Sequence, residues 1–195
     1  MNSISNQKPL YRLAASILRE CEALLVTAGA GIGIDSGLPD FRGNKGLWKA
    51  YPYFKEAGMS FSDAANPEFF RIDPHKFWFF YGHRYQSYKA TDPHSGFTYL
   101  KDLSKDTFVF TSNVDNHFLK AGFQQDRIFE CHGSIFHFQC AKCGTIEERR
   151  EETFELDIAK FESRHLPCCS TCQSPVRPNI LMFGDWDWIS DRTDQ

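Results

Sequence analysis

Leu24-Leu-Val-Thr-Ala-Gly-Ala-Gly-Ile-Gly-Ile-Asp-Ser-Gly-Leu-Pro-Asp-Phe-Arg-Gly-Asn-Lys-Gly-Leu-Trp48 is the stretch on which the reading of this chain turns. Leu24 to Thr27 are apolar or β-branched and read as a short buried strand. Gly29, Gly31 and Gly33 then let the backbone turn and come close to something bulky. A pyrophosphate is the natural candidate, because backbone N–H groups followed by a helix N-terminus form an anion cradle. Such a loop matches plain tight turns as readily as phosphate cradles, so by itself it does not decide. The acid that often holds a ribose ~20 residues further on is missing, and Trp48-Lys49-Ala50-Tyr51 stands in its place.

The 195 residues suffice for one sizeable core with a small appendage, and 42% hydrophobic with 24% charged residues is ordinary globular composition. A formal net charge of −3, without a local basic patch, gives no electrostatic footprint for DNA or RNA, so no direct nucleic-acid partner is expected. No run approaches the ~18 apolar residues of a membrane span, and the first nine residues carry no apolar signal-peptide core. The expectation is a soluble, cytoplasmic protein without a membrane partner, whose seven cysteines meet a reducing environment. Nineteen Phe, seven Tyr and four Trp are mostly core and pocket lining.

Leu10, Leu13, Ala14, Ile17, Leu18 and Cys21 recur at helical spacing and predict an amphipathic helix over 8–21. Residues 49–73 are aromatic and broken by Pro52 and Pro67, which suits a mobile lid or pocket wall. Pro74 opens a predicted helix over 75–89, which sets Tyr81 and Arg84 on one face. A helix over 93–103 leads to a strand over 107–111 that ends in Thr111-Ser112-Asn113-Val114-Asp115. Polar groups just beyond a buried strand are where open α/β sheets keep their ligands. A third strand, 127–130, runs into Cys131-His132-Gly133. Residues 147–162 are charged and helical in character, and 179–183 read as the last strand.

Cys140-Ala-Lys-Cys143 and Cys169-Ser-Thr-Cys172 are two knuckles of metal-ligand spacing, which predict a tetrahedral four-cysteine zinc site. Four thiolates leave no position for water, so the ion reads as structural. Cys168 adjoins the second pair as a rival ligand, and Cys169 is preferred because it keeps the two-residue gap. Cys21 and Cys131 remain as incidental thiols.

Gly29-Ala30-Gly31 with Ser36-Gly37-Leu38-Pro39-Asp40-Phe41-Arg42 resembles the signature loop of the sirtuins, the NAD-consuming protein deacylases. The resemblance implies a Rossmann-like parallel sheet with a small zinc-binding lobe, NAD as cosubstrate and acylated lysine in proteins as the other substrate. It places Ala28, Gly29, Ala30, Gly31, Ile32 and Trp48 in the NAD site, with Ala30 and Gly31 near the phosphates and Asp40, Phe41 and Arg42 near the nicotinamide ribose. Asn113 then holds the ribose or a water, Asp115 takes the nicotinamide amide, and His132 is the general base. Ser112 departs from the glutamine of the family pattern, which shortens its reach. Tyr81-x-x-Arg84, preceded by Ala65, is similar to the acyl pocket of sirtuins that remove succinyl and other acidic groups. A guanidinium can fork onto a terminal carboxylate while the phenol donates a second bond, and a small Ala leaves room for the chain. Phe183 and Gly184 match the segment that binds the substrate peptide by strand addition.

The implied division is an NAD-binding domain of 1–136 and 173–195, a zinc lobe of 137–172, and an inserted helical lid and acyl-pocket segment of 49–92. A sirtuin core also implies roughly a third more chain after residue 183, with further phosphate and adenosine loops. The expectation is therefore an incomplete sheet with an exposed edge and weak NAD affinity. Besides deacylation, the residues leave open an ADP-ribosyltransferase or NAD hydrolase on the same scaffold, and a non-catalytic zinc and peptide module.

Overall fold

The computed structural model describes residues 4–39, 44–103 and 106–192. Helix α1 (Ile4–Glu20) leads to strand β1 (Ala23–Ala28), and the glycine turn opens into a 3₁₀ helix at Ala30–Ser36. Four short helices follow, α2 (Asn44–Ala50), α3 (Pro52–Glu56), α4 (Phe61–Ala64) and α5 (Pro67–Ile72), and then the long α6 (Pro74–Ala90). Helix α7 (Ser95–Leu103), β2 (Asp106–Thr111), α8 (His117–Lys120) and β3 (Ile128–Glu130) complete the first part. The second part is built from β4 (Gly133–Cys140), β5 (Ile146–Glu148), β6 (Leu156–Asp157), β7 (Glu162–Ser163) and β8 (Val176–Ile180).

Strands β1, β2 and β3 form a parallel sheet in that order, with Val26 opposite Val109 and Val109 opposite Ile128. One face packs on Phe97, Phe118 and Phe123 from α7, α8 and the turn after it. The other leaves Leu25, Phe108 and Phe110 exposed. The stripe Leu10, Leu13 and Ile17 of α1 also lies at the surface, so this helix rests on local propensity more than on burial. Strand β4 lies between β5 and β8 and is antiparallel to both, while β6 pairs with β7. The fold class is α/β: a short parallel sheet joined to an antiparallel lobe that carries four clustered cysteines. No helix of the described residues is long and apolar enough to cross a membrane.

The main core surrounds α6, which is buried on nearly every side and so shows no polar face. Trp78 stacks on Phe154 at 5.1 Å and donates its indole N–H to the Val176 carbonyl at 2.9 Å, locking the helix to the lobe. Gly82 admits this approach, since a Cβ there would stand 2.8 Å from the Phe154 ring. Residues 49–73 form no single long element, as expected, and of the two expected forms, a mobile lid or a pocket wall, they take the wall. Pro52 and Pro67 do not break the segment but sit in the first turns of helices, as Pro74 does, where their missing N–H groups are harmless. Asn66 and Asp73 cap α5 and α6, and Ser60 with Asp63 forms a capping box for α4. Buried Tyr51, Phe54, Ala64 and Phe69 make the segment a packed wall.

Two further expectations are corrected. Residues 147–162 contain no helix, only β5's end, β6 and the start of β7. Their side chains are claimed by tertiary partners: the Glu147 carboxylate accepts from Ser170 N at 2.9 Å, and Phe154 is buried against Trp78. The last strand is 176–180 and not 179–183, and it pairs with β4 instead of rejoining the parallel sheet. Arg177 and Pro178 disguise it in the sequence, yet Arg177 is buried and doubly bonded to the Asp185 carboxylate at 2.7 and 2.9 Å.

Candidate active site

The ends of three parallel strands are stitched together by short bonds. Thr111 is the centre: its hydroxyl donates to the Ala28 carbonyl at 3.2 Å and accepts from Asn113 N at 3.1 Å, and its carbonyl accepts from Cys131 N at 3.0 Å. Ser112 N donates to Ala28 O at 3.0 Å, and Asn113 Nδ2 to Gly29 O at 3.0 Å. His94 clamps the 3₁₀ segment from outside, with its Nε2 at 3.0 Å from Ile32 O and its backbone N–H donating to Ser36 Oγ at 3.0 Å. In the sequence Thr111 and Ser36 stand only as members of their motifs, with no role of their own, and nothing marks His94. Their signal is topological, because each matters only once the strand ends are neighbours.

Beyond these ends lies a cavity of about 620 Å³. Ala30, Ser112, Asn113, Asp115 and His132 line it, as do Ala65, Tyr81, Arg84 and Phe183, so side chains from both expected halves of the site share one space. Leu38, Val114, Ile180 and Met182 supply apolar walls. Asp115 is buried, its Oδ1 accepts from His117 N at 3.0 Å, and burial pushes its carboxyl above the usual carboxylate range. Gly33 lies against it, since a Cβ there would stand 3.8 Å from Asp115 Oδ2.

His132 is held by its main chain. Cys131 N is tied to Thr111 O, and His132 O accepts from Leu181 N at 3.0 Å. The chain then turns at Gly133, whose φ of 75° is in the left-handed region, and a Cβ there would stand 2.1 Å from the Asn179 carbonyl. Gly133→Ala combines positive-φ strain with a backbone clash, each worth ~1–3 kcal/mol. A loss of about 3 kcal/mol is expected, read as a lower urea midpoint. His117 and His137 do not line the cavity. His117 is buried beside Phe97 at 5.7 Å, at the start of α8.

At the other end, Arg84 is buried among the rings of Phe80, Tyr88, Tyr81 and Phe61, with centroids 5.3–5.8 Å from its Cζ. Tyr88 Oη accepts from Arg84 Nη2 at 2.8 Å and from Nε at 3.3 Å. The Tyr81 hydroxyl is buried without a hydrogen-bond partner among the described residues, and burial pushes its pKa up to about 12, so it keeps its proton as a donor.

Other expected residues stand apart. Ala28, Gly29, Gly31 and Ile32 frame the first turn without lining the cavity, as does Gly184 beyond Phe183. The Trp48 indole is turned to the Met59 carbonyl at 2.8 Å. Phe183 N already donates to Ala65 O at 2.9 Å, so that N–H is committed within the chain and not open for strand addition. Asp40, Phe41 and Arg42 lie outside the described residues.

The four expected cysteines converge at the far end of β4. Their sulfurs all lie within 4.8 Å of one another, with Cys140 to Cys172 at 3.5 Å and Cys143 to Cys169 at 3.6 Å. A tetrahedral zinc with ~2.3 Å bonds spaces its sulfurs by ~3.8 Å, so the set fits one zinc. Both knuckles are folded alike, with Gly144 N bonded to Cys140 O and Gln173 N to Cys169 O, each at 3.0 Å. Cys168 is not in the cluster, and its thiol donates to the Leu166 carbonyl at 3.5 Å.

Comparison with known proteins agrees with this geometry. The Sir2 family pattern matches residues 29–190. An NAD-dependent protein deacylase of Thermococcus kodakarensis is 33% identical over 175 residues, which are 88% of this chain and 63% of that protein. The chain thus spans a little under two thirds of that relative's length. A Sir2 homologue solved with NAD superposes with a TM-score of 0.71 at 27% identity, covering 94% of this chain and 65% of the other. A Sir2 solved with a deacetylated peptide and 3′-O-acetyl ADP ribose gives 0.63 at 26% identity, covering 93% and 68%. With the family pattern running through the glycine turn, the Asn113 and Asp115 corner, His132 and both cysteine knuckles, the chain belongs to the Sir2 family.

Proposed function

We propose that this chain carries NAD-dependent protein lysine deacylase chemistry, and that the acyl end of its cavity receives chains ending in a carboxylate. The observation that carries the reading is the convergence of Ala30, Asn113, Asp115 and His132 on one cavity that also reaches Tyr81 and Arg84. The residues present fit NAD: small Ala30 at the first turn, and a buried carboxylate at Asp115 suited to an amide. When bound, NAD supplies a ribose carbon made electrophilic by the departure of nicotinamide.

The roles of the chain's own groups follow from their surroundings. Asn113 commits its Nδ2 to Gly29, which leaves its Oδ1 to accept from a ribose hydroxyl or a water. Asp115 accepts from the nicotinamide amide. His132 takes a ribose hydroxyl proton as general base, an aid worth ~10²–10⁴ in rate. Leu38, Val114, Ile180 and Met182 exclude water from the reacting atoms. Arg84 and Tyr81 receive the distal carboxylate of the acyl group, and buried Ala65 leaves room for the chain. The cysteine tetrad holds a structural zinc and takes no part in the chemistry.

Nicotinamide release, followed with and without an acylated lysine peptide, tests the reading. Release that depends on the peptide is expected. Steady release without it would instead favour an NAD hydrolase or ADP-ribosyltransferase, for which the short Ser112 is the motivating feature. Acyl preference has its own test: Arg84→Met is expected to lower succinyl-lysine turnover by ~10-fold or more, the worth of a charge-assisted bond. Acetyl-lysine turnover should stay within about twofold of the parent, and equal losses would refute the assignment.

A further inference from the structure

We propose that Tyr88 is the positioning residue of the acyl end: its hydroxyl holds the Arg84 guanidinium by its Nε–Nη2 edge and so sets which length of acidic acyl chain the cavity prefers. The inference rests on the reading of Arg84 as the carboxylate receptor, and it adds a residue and a selection rule to it. Tyr81, Arg84 and Tyr88 fall at i, i+3 and i+7 of α6, so one face of one helix carries all three.

The rings of Tyr81 and Tyr88 lie 5.6 and 5.4 Å from Arg84 Cζ, and Tyr51 also acts on its charge. Tyr51 Oη is bonded to His83 Nδ1 at 2.8 Å. Tyr81 Oη makes no hydrogen bond among the described residues. Tyr88 Oη accepts from the guanidinium, at 2.8 Å from Nη2 and 3.3 Å from Nε. The rings of Phe61, Phe80 and Tyr81 attract the cation from 5.3–5.8 Å, but attraction to ring faces is broad and does not by itself set the guanidinium plane. A two-pronged bond to one oxygen is directional and fixes that plane. Arg84 is anchored at its own Cα on α6, so a fixed plane places its donors at one depth in the cavity. A dicarboxylic acyl group whose length matches that depth is favoured over shorter and longer ones.

The test uses the full chain and lysine peptides bearing acetyl, malonyl, succinyl or glutaryl groups, with Kd read by fluorescence anisotropy. Tyr88→Phe removes one oxygen and keeps the ring beside Arg84. Its Kd for the diacid peptide that the parent binds most tightly is expected to rise ~10-fold, the scale of one hydrogen bond to a charged group. The acetyl peptide should change by less than about twofold, and the three diacids should converge to within about threefold of one another. A merely structural role would weaken all four peptides alike, and that result overturns the proposal, as does a variant that keeps the parent's length preference. If Tyr88→Phe does not fold, Tyr88→Met, which is smaller, flexible enough to fill the space in part and also without the oxygen, carries the same expectation. Arg84→Met separates the two readings: loss of diacid preference there, with Tyr88→Phe unchanged, removes Tyr88 and leaves Arg84 in place. A parent that binds diacids no better than acetyl removes both.

Discussion

Replacing His132 by alanine is expected to lower deacylation ~10²–10⁴-fold while the fold and the zinc survive. The position of His132 is set by its main chain, through Cys131 N to Thr111 O on one side and Leu181 N to His132 O on the other, and neither bond involves the imidazole. The side chain is half-buried at the cavity wall and not part of the hydrophobic core, so its loss costs little packing. Turnover of an acylated peptide, measured beside zinc content and thermal unfolding, separates the outcomes. A rate close to the parent's removes His132 from the mechanism, and a variant that unfolds or sheds zinc shows a structural duty.

Removing zinc is expected to have an effect of another kind. Structural zinc in small peptides contributes ~10–16 kcal/mol of apparent binding energy, as large as the whole stability of a typical domain. Here the lobe around the tetrad is made of short strands and turns, with a two-stranded β6–β7 pair and little core of its own. Strand β4 runs from Gly133, beside His132, to Cys140, one of the four clustered cysteines, so disorder at one end reaches the other. A strong chelator, or Cys140→Ser, is therefore expected to unfold the lobe and abolish turnover together, seen as a loss of β-sheet circular dichroism in step with activity. Cys168→Ser should leave both unchanged, because that thiol lies outside the cluster. Full activity after complete zinc removal would contradict the structural assignment.

Much of the site was legible in the sequence because its signals are local. The glycine turn, the polar run after β2, His132-Gly133 and the two knuckles each lie within a few residues and mark strand ends or metal turns by residue type. Pro52 and Pro67 look like breakers in the sequence although they start helices, since a proline in a first turn and a proline in a loop look alike until the cap before it is known. The charged run 147–162 reads as a surface helix because its carboxylates look solvated. Glu147 is instead taken up by Ser170, which is remote in the chain, and by Arg149, two residues further on. Strand β8 is hidden in the sequence because Arg177 looks exposed, and only its pairing with Asp185 makes burial tolerable. Tyr88 was within reach: helical spacing alone sets it one turn from Arg84.

The central claim is that the first glycine turn, the Asn113 and Asp115 corner and His132 serve one dinucleotide. A crystal structure of the zinc-loaded chain with a non-hydrolysable NAD analogue tests it most directly. The expected result is density for the nicotinamide riboside between Asp115 and His132, with the pyrophosphate beside Ala30. Density for the analogue elsewhere, or an ordered cavity that stays free of it at saturating concentration, would contradict the account.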